Sequence, residues 1–316
     1  RAQGFSRSVD GRLEVQEDSM RYYRVMEKFG DVHLCVETRD GVLTSLTSIN
    51  DSVDEFIDLL KASRISGQGV DAIARRILKQ DRGKKFKLSQ LIDWSITGTG
   101  EARLMKPLEP GEMWAGGLGN SVMTTEELAK ASEGIRLAYS RPEVSTAVYK
   151  GTNDRLVGPF DMVGIRADTE RTVAEGEVVL VIYKGELAGY TTGNEVAGGL
   201  AGLLPGWSVP AKVFKGCASV GPCVVTPESI KDTTAFSLEL VHSRGGKEVA
   251  RSAAVARLRP PEAIVASTVA HDSPPDLAIQ YTGGIVASGE SPLEAGDVVR
   301  ISMEGVGFVQ NTVEVV

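Results

Sequence analysis

A mostly β protein with a small N-terminal α+β domain is the architecture that this 316-residue sequence predicts, and three observations carry it. Long Val- and Ile-rich runs punctuated by Gly and Pro dominate the C-terminal two-thirds, where helical patterns are few. Before residue 97, short alternating strands give way to segments of helical period. Between the two regions, TGTGEARLMKPLEPGE (97–112) is rich in Gly, Pro and polar residues and reads as a linker. The expected division is residues 20–106 for the N-terminal domain and 107–316 for the β domain, and the chain length suits two domains.

Taken in order, residues 1–19 are polar and unpatterned and read as a disordered extension or a leftover of expression, with a regulatory tail as the alternative. In RYYRVMEKFGDVHLCVETR (21–39) apolar residues alternate, with a break at Gly30, which predicts two strands joined by a turn. Asp40-Gly41 then opens a second turn before VLTSLTSI, completing a three-stranded meander. After Asn50 the period changes. Val53, Phe56, Ile57, Leu59 and Leu60 predict a short helix, and Val70, Ile73, Ala74, Ile77 and Leu78 a second, separated by Gly67 and Gly69. The basic run KQDRGKKFK (79–87) reads as a solvated connection rather than a binding site. Beyond the linker one long helix is predicted over 124–138, with Thr124 as its cap, Glu126 and Glu127 in its first turn, and its end fixed by Pro142.

Composition narrows the partners. The chain carries 42 acidic against 35 basic residues, a net charge of -7, and an isoelectric point near 5.2. Nucleic acid and anionic membranes require a basic footprint, so neither is an expected partner. No apolar run is long enough to span a bilayer, and the N-terminus lacks the apolar stretch of a secretory signal. Cys35, Cys217 and Cys223 lack metal-site spacing, and their odd number cannot form a complete disulfide framework, so a reducing, cytoplasmic setting is expected. Cys217 and Cys223 read as small buried side chains, and His242 as a residue at a hairpin end rather than a base.

The strongest chemical signal is AEGEVVLVIYKGELAGYTTGNE (174–195). Glu175 and Glu177, one residue apart on a strand, place both carboxylates on one face. Lys184-Gly185 reads as a hairpin turn. A turn centred there puts residue 175 across from 194 and 177 across from 192, bringing Glu195 beside Glu175. Three converging carboxylates repel one another, and protonation or a hard cation relieves them; oxygen-only ligation suits Mg²⁺, Mn²⁺ or Ca²⁺ rather than Zn²⁺. A 2-oxo acid could fill two of the ion's remaining positions, and the ion would stabilise an enolate. Solvent-facing acids on an edge strand are the plain alternative.

These residues resemble the metal-binding core of the fumarylacetoacetate hydrolase superfamily, in which a Glu-x-Glu strand is followed by an Asn-Asp pair. Here the corresponding residues are Glu175-Gly176-Glu177 and Asn194-Glu195, with Gly189-Tyr190-Thr191 between them. Arg141-Pro142-Glu143 with Lys150, Val157-Gly158-Pro159, Leu204-Pro205, Ala211-Lys212-Val213-Phe214, Gly221-Pro222, Thr282-Gly283, LEAGDVV (293–299) and Glu304-Gly305-Val306-Gly307 with Asn311 extend the similarity from about residue 112 to the end. The resemblance implies a mixed β-sandwich roll, commonly a homodimer or higher homo-oligomer, holding Mg²⁺ or Mn²⁺ on Glu175, Glu177 and Glu195 and acting on a small 2-oxo acid. It implies Arg141, Glu143, Lys150, Tyr190, Asn194 and Thr282 as substrate-binding or supporting residues.

Four departures bear on the chemistry. Glu195 stands where the family usually has Asp; Ala197-Gly198-Gly199-Leu200 replaces a Ser-x-Arg-Asp; Gly284 replaces a threonine; and His33, His242 and His271 all lie outside the stretch 117–135 where C–C hydrolases carry a His-Glu pair. The last point disfavours that hydrolase pattern. WAGGLGNSVMTTEELAKASE and Pro210-Ala211-Lys212 look closest to the 2-keto-3-deoxy sugar-acid dehydratases of the superfamily, which implies a metal-dependent lyase. In such an enzyme Glu126 or Glu127 would transfer a proton and Lys212 would contact the substrate carboxylate or assist the leaving hydroxyl. An acylpyruvate-type hydrolase or oxo-acid decarboxylase is one alternative reading, and a catalytically degenerate, non-enzymatic protein is another.

Overall fold

The computed structural model describes residues 19–80, 82–117, 120–141, 144–169, 171–198, 208–289 and 291–316. Most of the N-terminal extension, together with Pro142, Glu143, Gly199, Leu200, Leu204 and Pro205, on which the sequence placed expectations, lies outside the described residues.

The predicted meander is β1 (Arg21–Glu27), β2 (Val32–Arg39) and β3 (Val42–Ser45), paired antiparallel in that order. The third strand is shorter than its sequence suggests, because Thr47 turns the chain: its hydroxyl donates to the Val53 carbonyl and accepts from the Leu34 N–H. The two helices follow as α1 (Phe56–Ser66) and α2 (Val70–Leu78), with Gly67 closing α1 in the left-handed conformation. The basic run then enters β4 (Lys85–Lys87), which pairs with β3, and leads into α3 (Leu88–Thr97), a helix that the sequence reading missed.

The expected linker contains structure. Its β5 (Ala102–Met105) pairs with the second half of β1, and β6 (Glu112–Ala115) begins at its end. The first half of β1 instead pairs with β12 (Ala218–Val225), deep in the C-terminal region. Main-chain hydrogen bonds therefore run across the expected boundary near residue 106.

Where one helix was expected over 124–138, there are two: α4 (Thr125–Lys130) and α5 (Glu133–Ser140). Thr124 and Glu127 close the predicted capping box, but the chain turns extended at Ala131 and Ser132 caps anew, its hydroxyl accepting from the Ile135 N–H at 3.3 Å. Ser132-Glu133 is itself a helix-start signal, and it outweighed the continuous apolar spacing.

Beyond them lie β7 (Val148–Thr152), β8 (Leu156–Val157), β9 (Val163–Ile165), the long hairpin β10 (Thr172–Tyr183) and β11 (Glu186–Gly198), and the short helix α6 (Ser208–Lys212). After β12 come β13 (Ala235–Arg244), β14 (Lys247–Arg257), α7 (Pro261–Val269), β15 (Leu277–Tyr281), β16 (Val286–Ala287), β17 (Val298–Met303) and β18 (Gly307–Val315). The large sheet runs β4-β3-β2-β1-β12-β11-β10-β15-β6-β7, and a second sheet runs β14-β13-β17-β18-β9. This is the mostly β, two-sheet layout that the sequence predicted.

Gly176 shows how the sheets meet. A Cβ there would come within 2.8 Å of Ile301 on β17, so the second sheet covers the Gly176 face of β10. Glu175 and Glu177 alternate with Gly176 and point the other way. At the N-terminal end, buried Asp71 of α2 ties three segments together: Tyr22 donates to one carboxylate oxygen at 2.7 Å, and Thr226 and Ser229 donate to the other at 2.9 and 2.8 Å. Asp71→Ala strands three buried hydroxyls at once and is expected to cost about 3 kcal/mol, read as a shift in the urea unfolding midpoint.

Candidate functional site

The site is built on the β10–β11 hairpin. Its turn is the two-residue Lys184-Gly185, with φ of 50° and 79°, the paired left-handed values that a tight hairpin requires. Tyr183 faces Glu186 and Ile182 faces Leu187, as the turn dictates, but Val181 faces Gly189. Ala188 is thus an extra residue, a β-bulge, and every later pair is displaced by one. Glu175 lies opposite Glu195 and Glu177 opposite Gly193, correcting the expected pairs 175/194 and 177/192.

The correction changes which face is used. Residues directly opposite share a face, so the unbulged register would have set Asn194 beside Glu175 and sent Glu195 to the other side of the sheet. With the bulge, Glu175, Glu177 and Glu195 converge, one oxygen from each lying within 4.8 Å of the others. Asn194 turns instead toward the second sheet, where its amide donates to Asn311 at 3.4 Å.

Two lysines enter from separate elements. Lys150 of β7 is fully buried, pairs with Oε1 of Glu195, donates to the Val196 carbonyl at 2.9 Å and lies 5.7 Å from the centre of the Phe214 ring. Lys212, the last residue of α6, reaches Oε2 of Glu195 at 2.5 Å and stands 3.5 Å from Oε2 of Glu175. Glu177 is anchored by the Gly283 N–H, which donates to its Oε2 at 2.7 Å. Gly283 has φ of +113°, and the sequence reading gave a supporting role only to its neighbour Thr282.

Burial and mutual charge separate the three carboxyls. Burial pushes Glu175 up to about 7; Lys212 opposes that rise and the Glu195 charge adds to it. Glu177 is held well above the ordinary range, first by burial and then by the charges of Glu195 and Glu175. For Glu195 burial also favours the neutral form, but Lys150 and Lys212 outweigh it and hold the group down to about 2. The two ammonium groups therefore do not relieve the whole cluster, and a divalent cation would.

The other expected residues are dispersed. Thr282 is buried, and its hydroxyl donates to the Val178 carbonyl at 3.0 Å, which fixes the segment bearing Gly283. Tyr190 is buried on the same face as Asn194, its ring tilted 5.3 Å from Phe236. Arg141 is exposed at the end of α5, and Glu143 lies outside the described residues. Glu126 pairs with Lys130 on the surface at 2.7 Å, and Glu127 is engaged in the capping box with Thr124, so in this conformation neither joins the triad. Gly284 lies against the site: a Cβ there would come within 3.3 Å of Glu175 Oε2.

His242 lies near the end of the β13–β14 hairpin, as the sequence suggested, two residues before β13 closes. It is wholly buried, with Nε2 2.7 Å from Asp297, whose carboxylate also accepts two bonds from Arg244. Cys35, Cys217 and Cys223 are buried free thiols.

The two-sheet roll with an acidic triad on its central hairpin defines a class. The C-terminal fumarylacetoacetate (FAA) hydrolase family model matches residues 118–314, and the chain belongs to that superfamily of enzymes. A Haloferax volcanii protein named as a probable 2-keto-3-deoxyxylonate dehydratase is 30% identical over 289 residues, covering 88% of this chain and 94% of its own. The 2-dehydro-3-deoxy-D-arabinonate dehydratase of Saccharolobus solfataricus is 27% identical over 265 residues, 79% of this chain and 85% of its own. A solved 2-keto-3-deoxy-D-arabinonate dehydratase, described as complexed with magnesium and 2,5-dioxopentanoate, superposes with a TM-score of 0.72 at 21% identity, over 94% of this chain and 99% of its own. Among the described residues, no helix is long and apolar enough to cross a membrane.

Proposed function

We propose that this protein is a Mg²⁺- or Mn²⁺-dependent dehydratase acting on a 2-keto-3-deoxy sugar acid or a related 2-oxo acid. The observation that carries the reading is the convergence of Glu175, Glu177 and Glu195 with Lys212 beside them. The two dehydratases similar in sequence, and the similar structure described with magnesium and 2,5-dioxopentanoate, support it.

The donor set fits the ion. It offers carboxylate oxygens alone, and burial, with the neighbouring carboxylate charges adding to it, raises Glu175 and Glu177. When bound, the ion would polarise the keto group and stabilise the enolate. The chain's own groups supply the rest. Gly283 holds Glu177 in place, and Lys150 holds Glu195. Lys212, on the half-exposed side, is placed to meet the substrate carboxylate or to assist the departing hydroxyl. A proton leaves C3 to a carboxylate or lysine, with Glu126 or Glu127 of α4 as candidates, and the C4 hydroxyl departs with a proton, so the net loss is one water.

A cytoplasmic setting is part of the proposal and is supported by the three free thiols. So is a homodimer or higher homo-oligomer, which rests on the family resemblance.

The test is a panel of 2-keto-3-deoxypentonates and acylpyruvates incubated with protein and Mg²⁺ and followed by NMR. The expected product is an oxo acid lighter by one water. Pyruvate from an acylpyruvate would replace the reading with a C–C hydrolase, and released CO₂ with a decarboxylase. If calorimetry detects neither Mg²⁺ nor oxalate binding, the degenerate, non-enzymatic alternative stands.

A further inference from the structure

The three carboxylates are not equivalent. Both oxygens of Glu195 already carry an ammonium group, Lys150 on Oε1 and Lys212 on Oε2. Lys150 cannot easily withdraw. It is wholly buried, its Nζ also donates to the Val196 carbonyl at 2.9 Å, and the Phe214 ring lies beside it. A buried ammonium stripped of its counter-charge is among the costliest arrangements in a protein interior, so Glu195 is bound to Lys150 by that cost. Lys212, by comparison, has its side chain 28% exposed.

Glu175 and Glu177 are engaged differently. Glu177 is oriented by a backbone N–H on Oε2, a neutral donor that steers a ligand without cancelling its charge. Glu175 has its side chain 27% exposed toward the open side, with Lys212 no nearer than 3.5 Å. Gly284 leaves room around that carboxylate, since a Cβ would stand 3.3 Å from it.

We infer that the labour in the triad is divided: Glu175 and Glu177 supply the protein oxygens to the divalent ion, while Glu195 is a positioning residue that clamps two lysines and aims Lys212 at the anionic end of the substrate. The inference rests on the metal-dependent reading above and deepens it.

The test compares Mn²⁺ affinity, by electron paramagnetic resonance, across three proteins. Glu195→Gln combined with Lys150→Met removes one charge of each sign, so the net charge of the site stays constant and no buried charge is left alone. This double variant is expected to bind Mn²⁺ within about threefold of the wild type, whereas Glu177→Gln binds more than about tenfold more weakly. Oxalate, a mimic of the enolate of a bound 2-oxo acid, supplies the second readout. Its affinity for the Mn²⁺-loaded protein is expected to fall about tenfold in the double variant and by a similar factor in Lys212→Met. Loss of Mn²⁺ binding in the double variant as large as in Glu177→Gln overturns the inference and leaves the metal reading intact. Unchanged oxalate affinity in the double variant overturns the positioning role. A wild-type protein that takes up no Mn²⁺ at millimolar concentration sinks the metal reading and the inference together.

Discussion

Glu177→Gln is expected to cut metal-dependent turnover by about 10³-fold, because it removes a buried charge from the cation's donor set and with it several kcal/mol of enolate stabilisation. The fold should tolerate the change: glutamine keeps the shape, its carbonyl can still accept from the Gly283 N–H, and a neutral group replaces a carboxyl that burial already drives toward its neutral form. Loss of activity should therefore come with an unchanged or higher melting temperature when no ion is present. A variant that turns over at the wild-type rate would remove Glu177 from the chemistry. The same site implies a pH dependence. Glu175, raised to about 7 without the ion, and Glu177, held well above its ordinary range, must each shed a proton to ligate, so Mn²⁺ affinity should weaken by at least about tenfold for each unit below pH 7. The slope should be shallower in Glu175→Gln, which has no proton to lose there.

Lys150→Met should be the most damaging single change to stability in the site. It leaves Glu195 buried with only Lys212 as a counter-charge and empties the donor that the Val196 carbonyl accepts. Breaking a buried pair from one side costs about 3 kcal/mol or more. Adding Glu195→Gln should recover much of that loss, and chemical denaturation of the two single variants and the double gives the coupling directly. Additive losses would show that the pair contributes nothing as a pair.

How far the sequence reached is clearest at this hairpin. Strand, turn and the three acids were legible from alternation, from Lys184-Gly185 and from Glu-x-Glu. The register was not, because a bulge leaves no mark in the pattern when its residue is a small alanine between leucine and glycine. The spacing argument named Glu195 through the wrong pairing, 175 with 194, and the family resemblance named it independently. The same limit applied elsewhere. Asn194 and Tyr190 lie in the matching motif yet face away from the acids, since motif letters do not carry the parity of a strand. Lys150 and Lys212 come from distant segments, a strand and a helix, and only the folded chain brings them onto one carboxylate. The helical region 124–140 was legible as helical but not as two pieces, because an internal Ser-Glu start competes with an otherwise continuous apolar stripe.

The pairing of β1 with β12 has a bearing on how the protein can be dissected. Residues 21–23 add a strand beside 223–225. The N-terminal portion is thus stitched into the roll by its backbone rather than resting against it. A fragment cut at residue 107 would bare part of one side of β12, whose eight residues are all buried in the intact chain, and would present unpaired amide and carbonyl groups to any other strand in solution. The severed roll would seek replacement partners, so the natural unit for expression, crystallisation or engineering begins upstream of Arg21.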